Sequence, residues 1–253
     1  MRSALTLGLG FLVMLFAKAE LHAQQPATPA TTVEQALVQK RQMIASSMVK
    51  NVPFENIGPT VMSGRVVDLA VNPAQPSEFY VGYASGGLWY TNNNGTTFEP
   101  VLDTSDTQNV GDIAVDWKSG TIWVGTGENN SSRSSYAGIG ILKSIDKGKT
   151  WQNVGLPDSH HIGRIIINPS NPDEVVVGVV GHLYSDNTER GVYKTTDGGQ
   201  TWNKTLFVNA ETGIIDVALR QKISTFSMLL LGIKTVKHGI LKVQETVQVS
   251  IRV

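Results

Sequence analysis

The sequence predicts an all-β chain of four-stranded blades set radially as a β-propeller, about three blades and the start of a fourth in an incomplete ring. Two out-of-phase repeats and a turn-rich composition predict it. The octapeptides S-I-D-K-G-K-T-W from Ser144, T-T-D-G-G-Q-T-W from Thr195 and, more weakly, T-N-N-N-G-T-T-F from Thr91 stand 53 and 51 residues apart, the length of one blade. Apolar runs of strand length, V-V-D-L-A-V-N from Val66, V-G-D-I-A-V-D from Val110 and I-G-R-I-I-I-N from Ile162, end at Asn72, Asp116 and Asn168, 44 and 52 residues apart. The 25 glycines among 253 residues supply turns, and 41% hydrophobic content is enough for a core.

At the amino terminus, Arg2, the apolar run from Ala4 to Ala17, and small residues at Ala17, Ala19 and Ala23 make residues 1–23 a signal peptide, with cleavage expected after Ala23 or Ala19. Lys18 and Glu20 interrupt the run before the roughly 20 apolar residues that a membrane span requires. A secreted, extracellular or periplasmic product follows, with no membrane span after signal removal. Residues 24–50 read as a Pro, Ala and Thr linker and a short helix. Thr32 and Gln35 have capping-box spacing, with Val33, Leu37, Ile44 and Met48 along one face and a packing role against the blades.

The blades occupy residues 51–219. Each unit opens on a continuously apolar inner strand, and two of these strands are stopped by N-P-A-Q-P and N-P-S-N-P turns. Second strands are expected at Glu78–Gly82, Thr121–Gly125 and Glu174–Gly178. In the octapeptides, Asn93, Asp146 and Asp197 can accept backbone amides of a tight turn, while Gly95, Gly148 and Gly199 permit positive φ. Phe98, Trp151 and Trp202 then begin the returning strand and bury a ring between sheets.

These octapeptides resemble the Asp-boxes, or BNR repeats, of sialidases, xyloglucanases and sortilin. The wider frame, N-I-G-P-T-V-M-S-G-R-V-V-D-L-A-V-N-P with A-S-G-G-L-W, G-D-I-A-V-D, V-G-T-G-E and E-R-G-V-Y-K-T-T-D-G-G-Q-T-W, resembles the sortilin N-terminal type of propeller in secreted bacterial proteins, often labelled glycosyl hydrolases. The likeness covers about Asn51 to Leu219. It implies a blade-built fold, with the Asp-box residues in structural positions on the blade periphery.

The repeat breaks at Arg220, where Asn or Asp is due. From there to Val253 the 34 residues hold no Asp, Asn, Pro or Trp, and T-V-Q-V-S-I-R-V offers no fourth octapeptide. Residues 220–253 are therefore a divergent tail. They read either as a shifted reading frame or truncated member of the family, or as a divergent ending whose V-Q-V-S-I-R-V strand closes the sheet. Three and a fraction blades leave open faces through which self-association is expected.

For chemistry, 21 basic residues balance 21 acidic ones, which removes the electrostatic case for nucleic acid, and the absence of cysteine excludes thiolate and disulfide chemistry. Aligned inner strands place Asp68, Asp112, Arg164 and Asp216 at one equivalent position, where they either line a polar ligand site near the axis or bond backbone at a strand entrance. The polar loop Gly125–Ser135 offers Glu128 and Arg133 as ligand contacts, and Arg65 joins this candidate set. His160, His161 and His182 lack a short metal-ligand spacing, so neither a metal nor a cofactor is expected. The G-K-T at Gly148 belongs to the turn, because Lys143 stands where a phosphate loop needs glycine.

Xyloglucanases carry an early-blade motif resembling Y-x-x-x-D-x-G-G, whose aspartate is catalytic. Here Tyr80 to Gly87 reads Y-V-G-Y-A-S-G-G, with Ala84 at the acidic position, and the F-R-I-P and arginine triad of sialidases are not traceable. Glycoside hydrolysis ordinarily needs two carboxyl groups. The expected role is therefore a binding or scaffold module for peptide, protein or glycan. A glycoside hydrolase with an incomplete site and a nonfunctional truncated product are the alternatives.

Overall fold

The computed structural model describes residues 27–53, 64–130, 135–222, 225–237, 240–244 and 251–252. The expected signal peptide and Arg133 lie outside these residues. The first blade comprises β1 (Val66–Val71), β2 (Phe79–Tyr83), β3 (Gly87–Thr91) and β4 (Glu99–Pro100). The second comprises β5 (Val110–Asp116), β6 (Thr121–Thr126), β7 (Ile141–Ser144) and β8 (Gln152–Asn153). The third comprises β9 (Ile162–Asn168), β10 (Asn171–Val179), β11 (Gly191–Thr195) and β12 (Asn203–Leu206). Within each blade the strands pair antiparallel in sequence order, as an up-and-down meander.

Side-chain capping ends the inner strands. Asn72 Oδ1 accepts the Ala74 amide at 3.0 Å, Asn168 Oδ1 accepts the Ser170 amide at 2.9 Å, and Asp116 Oδ1 accepts the Lys118 amide at 3.2 Å. Each is a local turn that competes with continued strand pairing. Arg220 cannot make this bond through a short acceptor, and β13 (Thr212–Lys222) runs straight through it for 11 residues. Its partner β14 (Thr225–Lys237) is 13 residues long, and both β15 (Ile240–Gln244) and β16 (Ile251–Arg252) pair with β14. Because β13 occupies one edge of β14, β15 and β16 share the other at different heights, so the strand within V-Q-V-S-I-R-V adds no fourth layer.

The three octapeptide turns share one hydrogen-bond pattern. Asp146 Oδ1 accepts the Thr150 amide at 2.9 Å and Oδ2 the Thr150 hydroxyl at 2.6 Å, and Ser144 Oγ accepts the Gly148 amide at 2.8 Å. Asp197, Thr201, Thr195 and Gly199 repeat it at 2.9, 2.6 and 2.9 Å. In the weaker copy Asn93 accepts the Thr97 amide at 3.0 Å, but its Nδ2 donates to the Thr97 hydroxyl. Gly95, Gly148 and Gly199 have φ of +80°, +87° and +92°, a region that costs side-chain-bearing residues energy. The indoles of Trp151 and Trp202 then donate Nε1 to Val101 and Val154 carbonyls of the preceding blade, at 2.8 and 2.7 Å. Phe98 has no such donor and packs edge-on to Phe79 of its own blade.

Most of the core lies between blades. Tyr80, Leu88, Val110, Ile113 and Val124 fill the first junction, and Trp123, Ile141, Ile162, Ile165 and Val177 the second. Val176, Val192, Ile214 and Val217 join the third blade to β13. A glycine on each second strand, Gly82, Gly125 and Gly178, stands opposite Asp68, Asp112 and Arg164 and receives Val110, Ile162 and Ile214 of the next unit. The inner strand of the first blade has no such cover among the described residues, leaving Val66, Leu69 and Val71 at 55%, 51% and 41% exposure.

Helix α1 (Ala30–Ser46) falls inside the expected span, but its start differs. Pro29 is the N-cap, no side chain caps it, and the Thr32 amide bonds the Pro29 carbonyl, so Thr32 is a first-turn residue rather than the head of a capping box. Proline has no side-chain acceptor to offer as a cap, and its carbonyl takes the Thr32 amide at 2.9 Å. The helix reaches the blades through Arg41 and Lys40, at 2.8 and 3.5 Å from Asp106, and it buries no residue. Among the described residues no helix is long and apolar enough to cross a membrane.

Two outcomes follow. A Cβ at Gly125 would sit 2.3 Å from Ile162 Cγ2, whereas one at Gly82 would sit 3.2 Å from Val110 Cγ1. Urea titration should therefore show Gly125→Ala losing about 2 kcal/mol by overpacking and Gly82→Ala clearly less; equal losses would contradict the notch reading. The Thr150 hydroxyl and amide, then Ser144, hold the Asp146 carboxyl down from 3.8 to about 2. Its stabilisation is complete above the unfolded value and disappears as pH falls toward 2. Thermal melts of Asp146→Asn should thus lie below wild type at pH 6 and converge with it near pH 2.

Candidate functional site

The equivalent inner-strand positions converge as a set of contacts between neighbouring blades. Asp68 Oδ2 accepts the Ile113 amide at 3.3 Å, and Asp112 Oδ2 accepts the Ile165 amide at 2.6 Å. In both cases the donor is the residue after the equivalent position one blade further on. Register shifts just before Asp68, Asp112 and Arg164 mark β-bulges that re-aim these side chains. At two of them the bulged residue is Gly111 or Gly163, whose Cβ would meet the next unit's backbone at 2.3 and 2.4 Å. The strand-entrance account of these aspartates is the one the geometry supports.

Arg164 replaces the third carboxylate and reverses the sign of the contact. Its Nε donates to Asp216 Oδ1 at 2.8 Å and its Nη1 to Asp112 Oδ1 at 3.2 Å, tying the second blade to β13 through the third. Burial alone would lower the guanidinium, but Asp112, Asp216 and Asp68 outweigh it and raise it. Burial, and then Asp68, push the Asp112 carboxyl well above the usual range, against Arg164 and the Ile165 amide. Asp216, the outermost of the set, accepts the amide of its own neighbour, Val217, at 2.8 Å.

The β6–β7 loop brings a second charged pair to the same end of the strands. Glu128 is fully buried, and its Oε2 accepts from Arg65 Nη2 at 2.7 Å while Arg65 stays 46% exposed. Glu128 Oε1 is buried with no hydrogen-bond partner among the described residues. The next residue, Asn129, donates Nδ2 to the bulge carbonyls of Gly111 and Gly163 at 2.9 and 3.1 Å, which fixes the loop over the second and third inner strands. Arg65, Asp68, Asp112, Glu128, Arg164 and Asp216 therefore belong to one connected end of the blades. Asn129 escaped sequence reasoning because its partners are backbone carbonyls. Ala84, in the acidic position of the xyloglucanase motif, is buried between the Arg65 carbonyl and the Val110 amide.

Two further features lie elsewhere. A cavity of about 470 Å³ opens between the first and second blades, lined by Tyr80, Tyr90, Lys147 and Lys149. The histidines come together on the segments that follow β8 and β10. His160 and His182 stack with centroids 3.7 Å apart, and His182 Nε2 lies 3.2 Å from Asp158 Oδ1. Burial, and then His182, hold His160 down at about 4.

Replacing Asp112 tests the inter-blade contact. Asp112→Ala should lower stability by about 2 kcal/mol, since it strands a buried amide and removes one of the two carboxylate partners of Arg164. Asp112→Asn keeps an acceptor for the Ile165 amide and should lose less, as measured by chemical denaturation.

No family model matches the chain. A probable oligoxyloglucan-reducing end-specific xyloglucanase of Neosartorya fischeri is 25% identical over 146 residues, covering 54% of this chain and 16% of that protein. The chain thus spans about a sixth of that relative's length. The crystal structure of an ancestral GH74 enzyme superposes with a TM-score of 0.50 at 21% identity, over 68% of this chain and 22% of that one. A GH74 xyloglucanase from Xanthomonas campestris gives 0.48 at 16% identity, over 69% and 29%. The described blades form an incomplete β-propeller whose fold is like that of glycosyl hydrolases.

Proposed function

We propose that this chain is a glycan-binding propeller module of the Asp-box type, exported and non-hydrolytic, with its ligand held at the end of the blades where Arg65, Glu128, Arg164 and Asp216 gather. The observation that carries this reading is the Arg65–Glu128 pair, in which a fully buried carboxylate holds an arginine that is 46% exposed. Arg65 and Arg164, both partly exposed, supply donors for sugar hydroxyls. The xyloglucanase relative suggests a β-glucan of the xyloglucan kind.

Binding without turnover follows from how the carboxylates are used. Asp68 and Asp112 accept backbone amides, Asp112 and Asp216 also pair with Arg164, and Ala84 stands in the acidic position of the xyloglucanase motif. An acid and base pair for glycoside cleavage is not assembled among the described residues. Peptide or protein ligands would meet the same charged end. Self-association would use the exposed Val66, Leu69 and Val71 face.

Calorimetric titration with xyloglucan oligosaccharides should show saturable binding that weakens at least about tenfold in Arg65→Ala and Glu128→Ala, with no new reducing ends. Release of reducing ends that stops in Glu128→Ala would replace this reading with the hydrolase one. Absence of binding to xyloglucan oligosaccharides would remove the glycan assignment.

A further inference from the structure

Away from the inner strands, Asp158 and His160 sit between β8 and β9, and His182 follows β10. We propose that these three side chains bind a divalent transition-metal ion of the zinc class, with one coordination position left open. One donor atom from each lies within 4.8 Å of the others. Donors bound to one tetrahedral ion at ~2.0–2.1 Å are about 3.3 Å apart, so the 3.2 Å between His182 Nε2 and Asp158 Oδ1 already has the length of a coordination edge. Bringing in the third donor takes a turn of the His160 ring out of its stack on His182, moving the nitrogen by at most about 1.5 Å.

The surroundings orient the donors as a metal site requires. Ser185 Oγ stands 2.9 Å from His182 Nδ1, so Nδ1–H can be held there while Nε2 offers its lone pair toward Asp158. Asn187 Nδ2 donates to Asp158 Oδ2 at 2.9 Å and to the Asp158 carbonyl at 3.1 Å, holding the carboxylate and leaving Oδ1 toward the histidines. A cavity of about 180 Å³, lined by His160, His182, Tyr184 and Ser185 among others, opens beside them. That space admits the ion and a water or ligand atom as fourth donor.

Two imidazoles and one carboxylate select the ion. Nitrogen-rich sets favour zinc, nickel or copper, whereas calcium and magnesium need six or more oxygen donors that this cluster does not supply. The site is separate from the glycan reading, and its test uses no glycan.

Calorimetric titration of the full chain with zinc chloride should give one saturable site, with magnesium and calcium chloride giving none. His160→Gln and His182→Gln should each weaken zinc binding at least about tenfold, and Ser185→Ala should weaken it measurably. Cobalt(II) should produce the intense visible bands of tetrahedral coordination in the wild-type chain. Failure of the wild-type chain to take up zinc, or undiminished uptake by both histidine variants, would overturn the proposal and leave His182 and Asp158 as a simple hydrogen-bonded pair. Should either variant unfold by circular dichroism, the wild-type cobalt spectrum decides alone, and octahedral weak bands count against the site.

Discussion

The contact on which this architecture depends is the carboxylate that one blade's inner strand presents to the backbone amide of the next. Asp68 and Asp112 each satisfy an amide on the inner strand of the next blade, which has a sheet partner on one side only. A buried amide left without an acceptor costs about 1–3 kcal/mol, so each bond fixes the neighbour's position as well as its orientation. The glycine opposite each of these positions lets an aliphatic side chain of the next unit approach, and the indoles of Trp151 and Trp202 add a second tie at the periphery. Axis and rim are thus pinned by different chemistry at the second junction and at the first.

The same constraint bears on the end of the blades where Arg65, Glu128, Arg164 and Asp216 gather. Carboxylates that hold blades together have their environment set by packing. Glu128 differs because it arrives on a loop that Asn129 secures through backbone carbonyls, while its own carboxylate accepts from Arg65.

Much of the fold was legible because the repeat is written locally. Asn93, Asp146 and Asp197 cap their turns through neighbours four residues away, and Asn72 and Asn168 stop strands through the amide two residues on. Short-range bonds of this kind leave a spacing that sequence displays. The equivalence of Asp68, Asp112, Arg164 and Asp216 was legible as a position, whereas their partners, 45 to 53 residues away, were not. Asp158 and His182 are 24 residues apart and meet only because two inter-strand segments cross, so no motif announced them. The capping box at Thr32 failed for a local reason, since Pro29 already sets the helix start.

One detail of the fourth sheet bears on how blades can be added. Opposite Asp216 in the ladder stands Leu231, where the earlier units place Gly82, Gly125 and Gly178. The glycine of the earlier units is therefore not encoded there, and Asp216 is turned onto its own neighbouring amide. The packing grammar is directional, and its last word differs from the others. Any sheet laid against this surface would have to seat by a contact that the preceding three do not use.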